Sequence, residues 1–132
     1  MYQFWGKVRK SNQRGKKLGF PTANISLYRD IPEGIYISKT KIAERIYKSL
    51  TFIGIAKTFN EKKIQSETNI LDFNANIYGK WISVELLKKI RNNQKFASSD
   101  ELIAQMKKDA QAAREYFSNF PLSDDNRNVT PF

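Results

Sequence analysis

The chain has 132 residues, a formal net charge of +10, and neither Cys nor His. That length carries one compact domain. The two missing residue types exclude disulfide frameworks, zinc fingers, Cys-His dyads and Ser-His-Asp triads.

A general base must therefore come from the thirteen Asp and Glu residues, or from a perturbed Lys or Tyr. A metal site must be built from oxygens, which points to Mg²⁺, Mn²⁺ or Ca²⁺. Hydrophobic residues make up 40% and charged residues 27%, the balance of a soluble globular fold. No apolar run approaches the ~20 residues of a membrane span, and Met1 to Trp5 lack the apolar core of a signal peptide. A cytoplasmic setting with no membrane partner is expected. The cations are clustered: Lys7, Arg9, Lys10, Arg14, Lys16 and Lys17 fall within residues 7–17 with no acid among them. Such a patch attracts phosphate in any form.

In chain order, Tyr2 to Lys10 reads as a strand with Phe4, Gly6 and Val8 on one face. Gly15-Lys16-Lys17-Leu18-Gly19-Phe20-Pro21-Thr22-Ala23-Asn24 follows, a flexible basic loop running into an extended segment. Thr22 and Asn24 lie two apart, so on extended backbone they point to one side. Backbone N–H groups and cations suit phosphate oxygens, while Thr and Asn oxygens suit Mg²⁺, which takes few protein ligands beside phosphates. An ordinary surface turn is the plain alternative.

Asp30 to Gly34 is a turn signal, and Ile35 to Ser38 and Arg45 to Ile55 carry the β-branched and aromatic residues of strands. Residues 56–63 read as a loop. Ile64 to Phe73 alternates as a strand, placing Gln65, Glu67, Asn69, Leu71 and Phe73 on one face. Lys80 to Ile90 gives a further strand. Ser98 stands three residues before Glu101, a capping-box signature. Leu102, Met106, Ala110, Ala113 and Phe117 then form one helical stripe, read as a packing face against the sheet. Asn119 and Pro121 end the helix, and residues 122–132 read as a tail. Five or six strands followed by one helix, without βαβ alternation, predict an antiparallel barrel with a terminal helix. Neither a Walker A sequence nor Gly-x-Gly-x-x-Gly is present.

Read as a set, the segments resemble the ATP-dependent riboflavin kinase (flavokinase) family, commonly the C-terminal half of a bacterial bifunctional riboflavin kinase/FAD synthetase. The resemblance runs through Gly6-Lys7-Val8, Leu18 to Ile25, Pro32 to Tyr36, Ile53-Gly54 and Thr58-Phe59. It continues through Glu67 to Phe73, Ile77-Tyr78-Gly79, Ile90-Arg91, Lys95 to Ser98, Glu101-Leu102 and Asp109. It implies a small Greek-key barrel plus helix over residues 1–117, with a tail over 118–132. The implied reaction moves the γ-phosphate of Mg·ATP to the 5′-hydroxyl of riboflavin, giving FMN and ADP. By the same resemblance Thr22 and Asn24 bind Mg²⁺ and phosphate, and Gly15, Lys17 and Gly19 lie in the loop that wraps the nucleotide phosphates. Glu67 takes the ribityl hydroxyl proton, and Arg91 and Phe96 belong to a mobile segment that closes over the flavin.

Taken alone, each residue has a plainer role: Glu67 a solvated strand carboxylate, Lys17 surface charge, Arg91 a strand-end cation, Phe96 a core residue before the helix. The sequence departs from the family pattern at Ser11, where a glycine is usual, and at Phe52, where Asn is frequent. It also departs at Lys57, commonly Pro, and at Asn69, often His. These departures bear on flavin affinity and loop closure more than on the chemistry. Two other functions are carried as alternatives: a flavin or nucleotide sensor without turnover, and a basic barrel binding single-stranded nucleic acid, suggested by its 17 aromatic residues and its charge. Nucleic acid is the less expected partner. A fused or separate FAD synthetase domain is an expected one, whether the chain is monofunctional or a domain of a bifunctional enzyme.

Overall fold

The computed structural model describes residues 2–9, 22–58, 61–73 and 75–122, with the side chains of 56–58, 61 and 62 left aside. Gly15, Lys17, Gly19 and Ser11 lie outside these residues. Six strands form one antiparallel sheet: β1 (Gln3–Lys7), β2 (Ala23–Leu27), β3 (Gly34–Ile42), β4 (Arg45–Thr58), β5 (Glu61–Ile70) and β6 (Trp81–Arg91). Their spatial order is β1-β6-β3-β4-β5-β2. The sheet curls until its two outer strands meet, and the Arg9 N–H donates to the Asn24 carbonyl at 2.8 Å. Gly6 makes this approach possible, because a Cβ there would come within 2.6 Å of Ile25 Cγ2.

Alternation sorts the side chains as the sequence implies. Phe4, Val8, Ile25, Ile53, Ile64, Ile70, Ile82, Val84 and Leu86 fill the barrel. Across its middle runs a band of buried hydroxyls. Ser38 Oγ meets Ser49 Oγ at 2.7 Å and Thr51 Oγ1 at 2.8 Å, and Thr51 Oγ1 meets Thr68 Oγ1 at 2.9 Å. Each hydroxyl satisfies another, so the band escapes the cost of unpaired burial.

The helix α1 (Ser99–Asn119) lies against the outer face of the sheet. Ser98 caps it, its Oγ accepting from the Glu101 N–H at 3.2 Å, while Glu101 Oε2 accepts from the Ala97 N–H at 3.0 Å. Ala113 and Phe117 bury themselves among Ile35, Ile37, Leu50 and Leu71. Two bulges in the β3–β6 ladder, at Ile35/Tyr36 and Ile37/Ser38, break the strict alternation of β6. Leu87 and Ile90 accordingly pack toward the helix, and Arg91 falls opposite Ile35.

Two readings of the sequence are corrected. Among the described residues, 56–58 and 61–63 are strand and not loop: β4 runs to Thr58 and β5 starts at Glu61, with Ala56 opposite Lys63 and Lys57 opposite Lys62. Backbone pairing holds this hairpin arm, and its polar sequence hides it because hydrophobic alternation reports burial rather than pairing. Also, β5 stops at Ile70 instead of Phe73. Asp72 has φ of 57°, which ends the strand. Leu71 therefore stays on the outer face, while Phe73 turns to the barrel cluster and packs edge-on against Tyr47 with centroids 5.0 Å apart. The helix ends at Asn119, as expected.

Candidate active site

One row of outward positions crosses the whole sheet at the level of Ile35. Arg91 on β6 faces Ile35 on β3, which faces Phe52 on β4, which faces Glu67 on β5, which faces Asn24 on β2. Pairs directly opposite share a face, so five strands deliver these side chains to one side. Asn24 turns its carbonyl toward Arg9. Facing Glu67 it therefore makes the non-hydrogen-bonded kind of pair, with Cα atoms about 4.5 Å apart and side chains close.

Above the row is a cavity of about 470 Å³, in the size range of small-molecule sites. Thr22, Glu67 and Asn69 line its polar end. Ile35, Leu50 and Phe52 form an apolar floor, and Leu102 and Met106 of α1 face them. Phe52 lies so close over Gly54 that a Cβ there would meet its ring at 2.7 Å. The helical stripe thus divides: Ala113 and Phe117 pack on the sheet, while Leu102 and Met106 line the cavity. The remaining wall is the connector after β6, with Gln94, Lys95 and Phe96.

Arg91 closes the far end. Its Nε and Nη2 grip the Asp109 carboxylate, with Nη2 to Oδ2 at 2.7 Å and Nε to Oδ1 at 2.9 Å. Gln105 Nε2 donates to the same Oδ1 at 3.0 Å, and the guanidinium carbon sits 5.9 Å from the Phe96 ring centroid. The connector has a second anchor, where Asn93 Nδ2 donates to the Ile53 carbonyl at 3.2 Å and to Glu33 Oε2 at 3.3 Å. Glu33 Oε2 also accepts from the Ile55 N–H at 3.1 Å.

The sequence-derived candidates now have positions. Thr22, Glu67, Arg91 and Phe96 line one cavity. Asn24 stands beside it, its Nδ2 3.4 Å from Thr22 Oγ1. Thr22 and Asn24 are both half-buried and present oxygens on one side of β2, a donor set that suits Mg²⁺ completed by phosphates and water. Among the described residues no cluster of three or more acidic side chains offers a competing metal site. Of the departures from the family pattern, Phe52 and Asn69 both line the cavity. Gly15, Lys17 and Gly19 lie outside the described residues.

Sequence reasoning gave no role to Asp109, Glu33 or Asn93. Asp109 carried a signal, being an acid on the apolar helical stripe between Met106 and Ala113, where only a buried partner makes a charge tolerable. Glu33 lay within the Pro32 to Tyr36 segment of the resemblance, but its pairing with Asn93, 60 residues away, carried no signal. Elsewhere, burial pushes the Tyr36 hydroxyl pKa upward, with Tyr2 adding to it, and that hydroxyl donates to the Pro32 carbonyl at 2.6 Å.

The model of the Flavokinase (riboflavin kinase) family matches residues 1–117. The bifunctional riboflavin kinase/FMN adenylyltransferase of Bacillus subtilis is 40% identical over 124 residues, covering 89% of this chain and 39% of that protein. The chain thus spans well under half the length of this relative. The crystal structure of riboflavin kinase from Trypanosoma brucei superposes with a TM-score of 0.65 at 25% identity, covering 95% of this chain and 85% of that one. A Streptococcus pneumoniae structure described as a macrolide-efflux protein superposes with a TM-score of 0.80 at 36% identity, covering 85% of this chain and 38% of that one. Among the described residues no helix is long and apolar enough to cross a membrane. With its family model matched from the first strand into the helix, the chain belongs to the riboflavin kinase (flavokinase) family.

Proposed function

We propose that this barrel is a riboflavin kinase, transferring the γ-phosphate of Mg·ATP to the 5′-hydroxyl of riboflavin to release FMN and ADP. The observation that carries the reading is the cross-strand pair Asn24–Glu67 at one end of a cavity whose floor is Ile35, Leu50 and Phe52. The flavin ring, flat and largely apolar, fits between Phe52, Leu50 and Ile35 on one side and Leu102, Met106 and Phe96 on the other. Its ribityl chain then points to Glu67. Glu67 accepts the 5′-hydroxyl proton as the oxygen bonds to the γ-phosphorus and the bond to the β–γ bridging oxygen breaks, leaving ADP. Thr22 and Asn24 hold Mg²⁺ and the phosphates, and the ion supplies charge neutralisation on the transferring group. By the family resemblance, Gly15, Lys17 and Gly19 bind the nucleotide phosphates.

Phosphoryl transfer asks mainly for alignment, and a rigid antiparallel row provides it. The structural likeness to the Trypanosoma brucei riboflavin kinase, 85% of which this chain covers, supports the kinase reading. A cytoplasmic setting fits an enzyme that uses ATP. FMN adenylyltransferase, the second activity in the name of the Bacillus subtilis relative, consumes FMN, so such a domain is the partner we propose, fused or separate. The test is incubation of the purified chain with riboflavin and Mg·ATP, separating flavins by chromatography. FMN formed with Mg²⁺ and abolished by EDTA is expected; no FMN over a long incubation contradicts the proposal.

A further inference from the structure

The outward row that carries Glu67 and Asn24 has one more member. Val8 is buried, 2% exposed, and its backbone is locked between neighbours, its N–H donating to the Lys80 carbonyl at 2.9 Å and its carbonyl accepting from the Gly79 N–H at 2.8 Å. Alternation then turns Arg9 outward. The Arg9 N–H fixes it directly opposite Asn24, which puts the two Cβ atoms about 5 Å apart on the same face. Arg9 is exposed. The three ion pairs among the described residues, Lys39–Glu85, Arg91–Asp109 and Arg114–Asp72, leave it without an acidic partner.

We propose that Arg9 is a phosphate-binding residue of the nucleotide site, engaging the polyphosphate of Mg·ATP from the β1 side of Asn24. This rests on the kinase reading and adds to it a contact that the motifs of the family resemblance do not contain. Glu67 lies one strand beyond Asn24, about 10 Å from Arg9 by two strand spacings. A phosphate held over Thr22 and Asn24 is closer, carries more charge, and matches the paired N–H groups of Arg. Lys7 shares the outward face of β1 but stands two residues back, opposite Trp81, about 7 Å farther along the strand. The backbone clamp on Val8 and Arg9 fixes the direction from which the Arg9 side chain reaches over the site.

The test is Arg9→Gln and Arg9→Lys in the whole chain, with steady-state kinetics and inorganic tripolyphosphate as a competitive inhibitor. Arg9→Gln is expected to raise KM for Mg·ATP about tenfold and to weaken tripolyphosphate inhibition in parallel. It should leave kcat, KM for riboflavin and the thermal midpoint nearly unchanged. Arg9→Lys restores part of the loss. An unchanged KM for Mg·ATP in Arg9→Gln, or equal rises in KM for both substrates, overturns the role of Arg9 while leaving the kinase reading intact. Failure of the unmodified chain to form FMN removes the kinase reading, and this contact with it.

Discussion

Arg91 and Asp109 join the end of the last strand to the middle of the helix through a two-pronged ion pair, with side chains only 19% and 7% exposed. Together with Gln105 the pair braces the wall of the cavity from which Phe96 projects. Most of the hydrogen-bonding capacity of Arg91 is therefore spent on the protein. In the proposed flavin site its part is chiefly to hold the connector and to present a charged face beside Phe96.

Asp109→Asn is expected to cost about 3 kcal/mol of stability, because it leaves the Arg91 charge largely buried without its counter-ion. The same change should raise KM for riboflavin more than KM for ATP, since the braced wall lies at the flavin end. Replacing both partners, Arg91→Met with Asp109→Leu, should recover most of the stability but not the flavin affinity. Chemical denaturation and two-substrate kinetics read the two effects separately.

Phe96→Ala tests the connector directly. If the flavin binds as proposed, loss of the ring removes apolar contact with it, and weakening of riboflavin binding by about tenfold is expected. Quenching of riboflavin fluorescence measures it, and kcat at saturating substrate should fall much less.

Thr51 sits at the centre of the hydroxyl band, bonded to both Ser38 and Thr68, and Thr68 is the neighbour of Glu67 in β5. Thr51→Val keeps the shape of the side chain but leaves two buried hydroxyls short of a partner. A loss of about 2 kcal/mol in denaturant unfolding is expected. A silent substitution would mean that Ser38, Ser49 and Thr68 re-pair among themselves.

Asp72 and Arg114 make the outer ion pair between the turn after β5 and the helix, at 3.0 Å. The hydrogen bond from Arg114, and then its charge, hold the Asp72 carboxyl below its ordinary pKa. A carboxyl depressed in the folded state contributes stability above its unfolded pKa of about 3.9 and loses it as pH falls through the folded value. The pair is solvent-exposed, so that contribution is below about 1 kcal/mol. Asp72→Asn should remove this acid-side dependence while changing stability at neutral pH only slightly, as read by thermal unfolding across pH.

The strands with one buried face were legible because Phe4, Gly6 and Val8, or Ile64, Ser66, Thr68 and Ile70, alternate against a filled interior. The capping box at Ser98 and Glu101 was legible because it is local. The hairpin arm of β4 and β5 was not, since no apolar pattern marks its backbone ladder. Thr22 and Asn24 could be paired from their spacing on one strand. Their position beside Glu67 could not, because it depends on a register between strands more than forty residues apart. Asp109 was visible as an anomaly on the helical stripe, but its partner Arg91 could be identified only in three dimensions.

The central claim is that this barrel moves a phosphoryl group from ATP to riboflavin at Glu67. Single-turnover transfer from γ-labelled ATP, comparing the unmodified chain with Glu67→Gln, tests it most directly. The account predicts label in FMN, stoichiometric with ADP and dependent on Mg²⁺, with Glu67→Gln slowing transfer by about 10²–10⁴-fold at nearly unchanged nucleotide affinity. Label appearing only as free phosphate, or a Glu67→Gln protein as fast as the original, would contradict it.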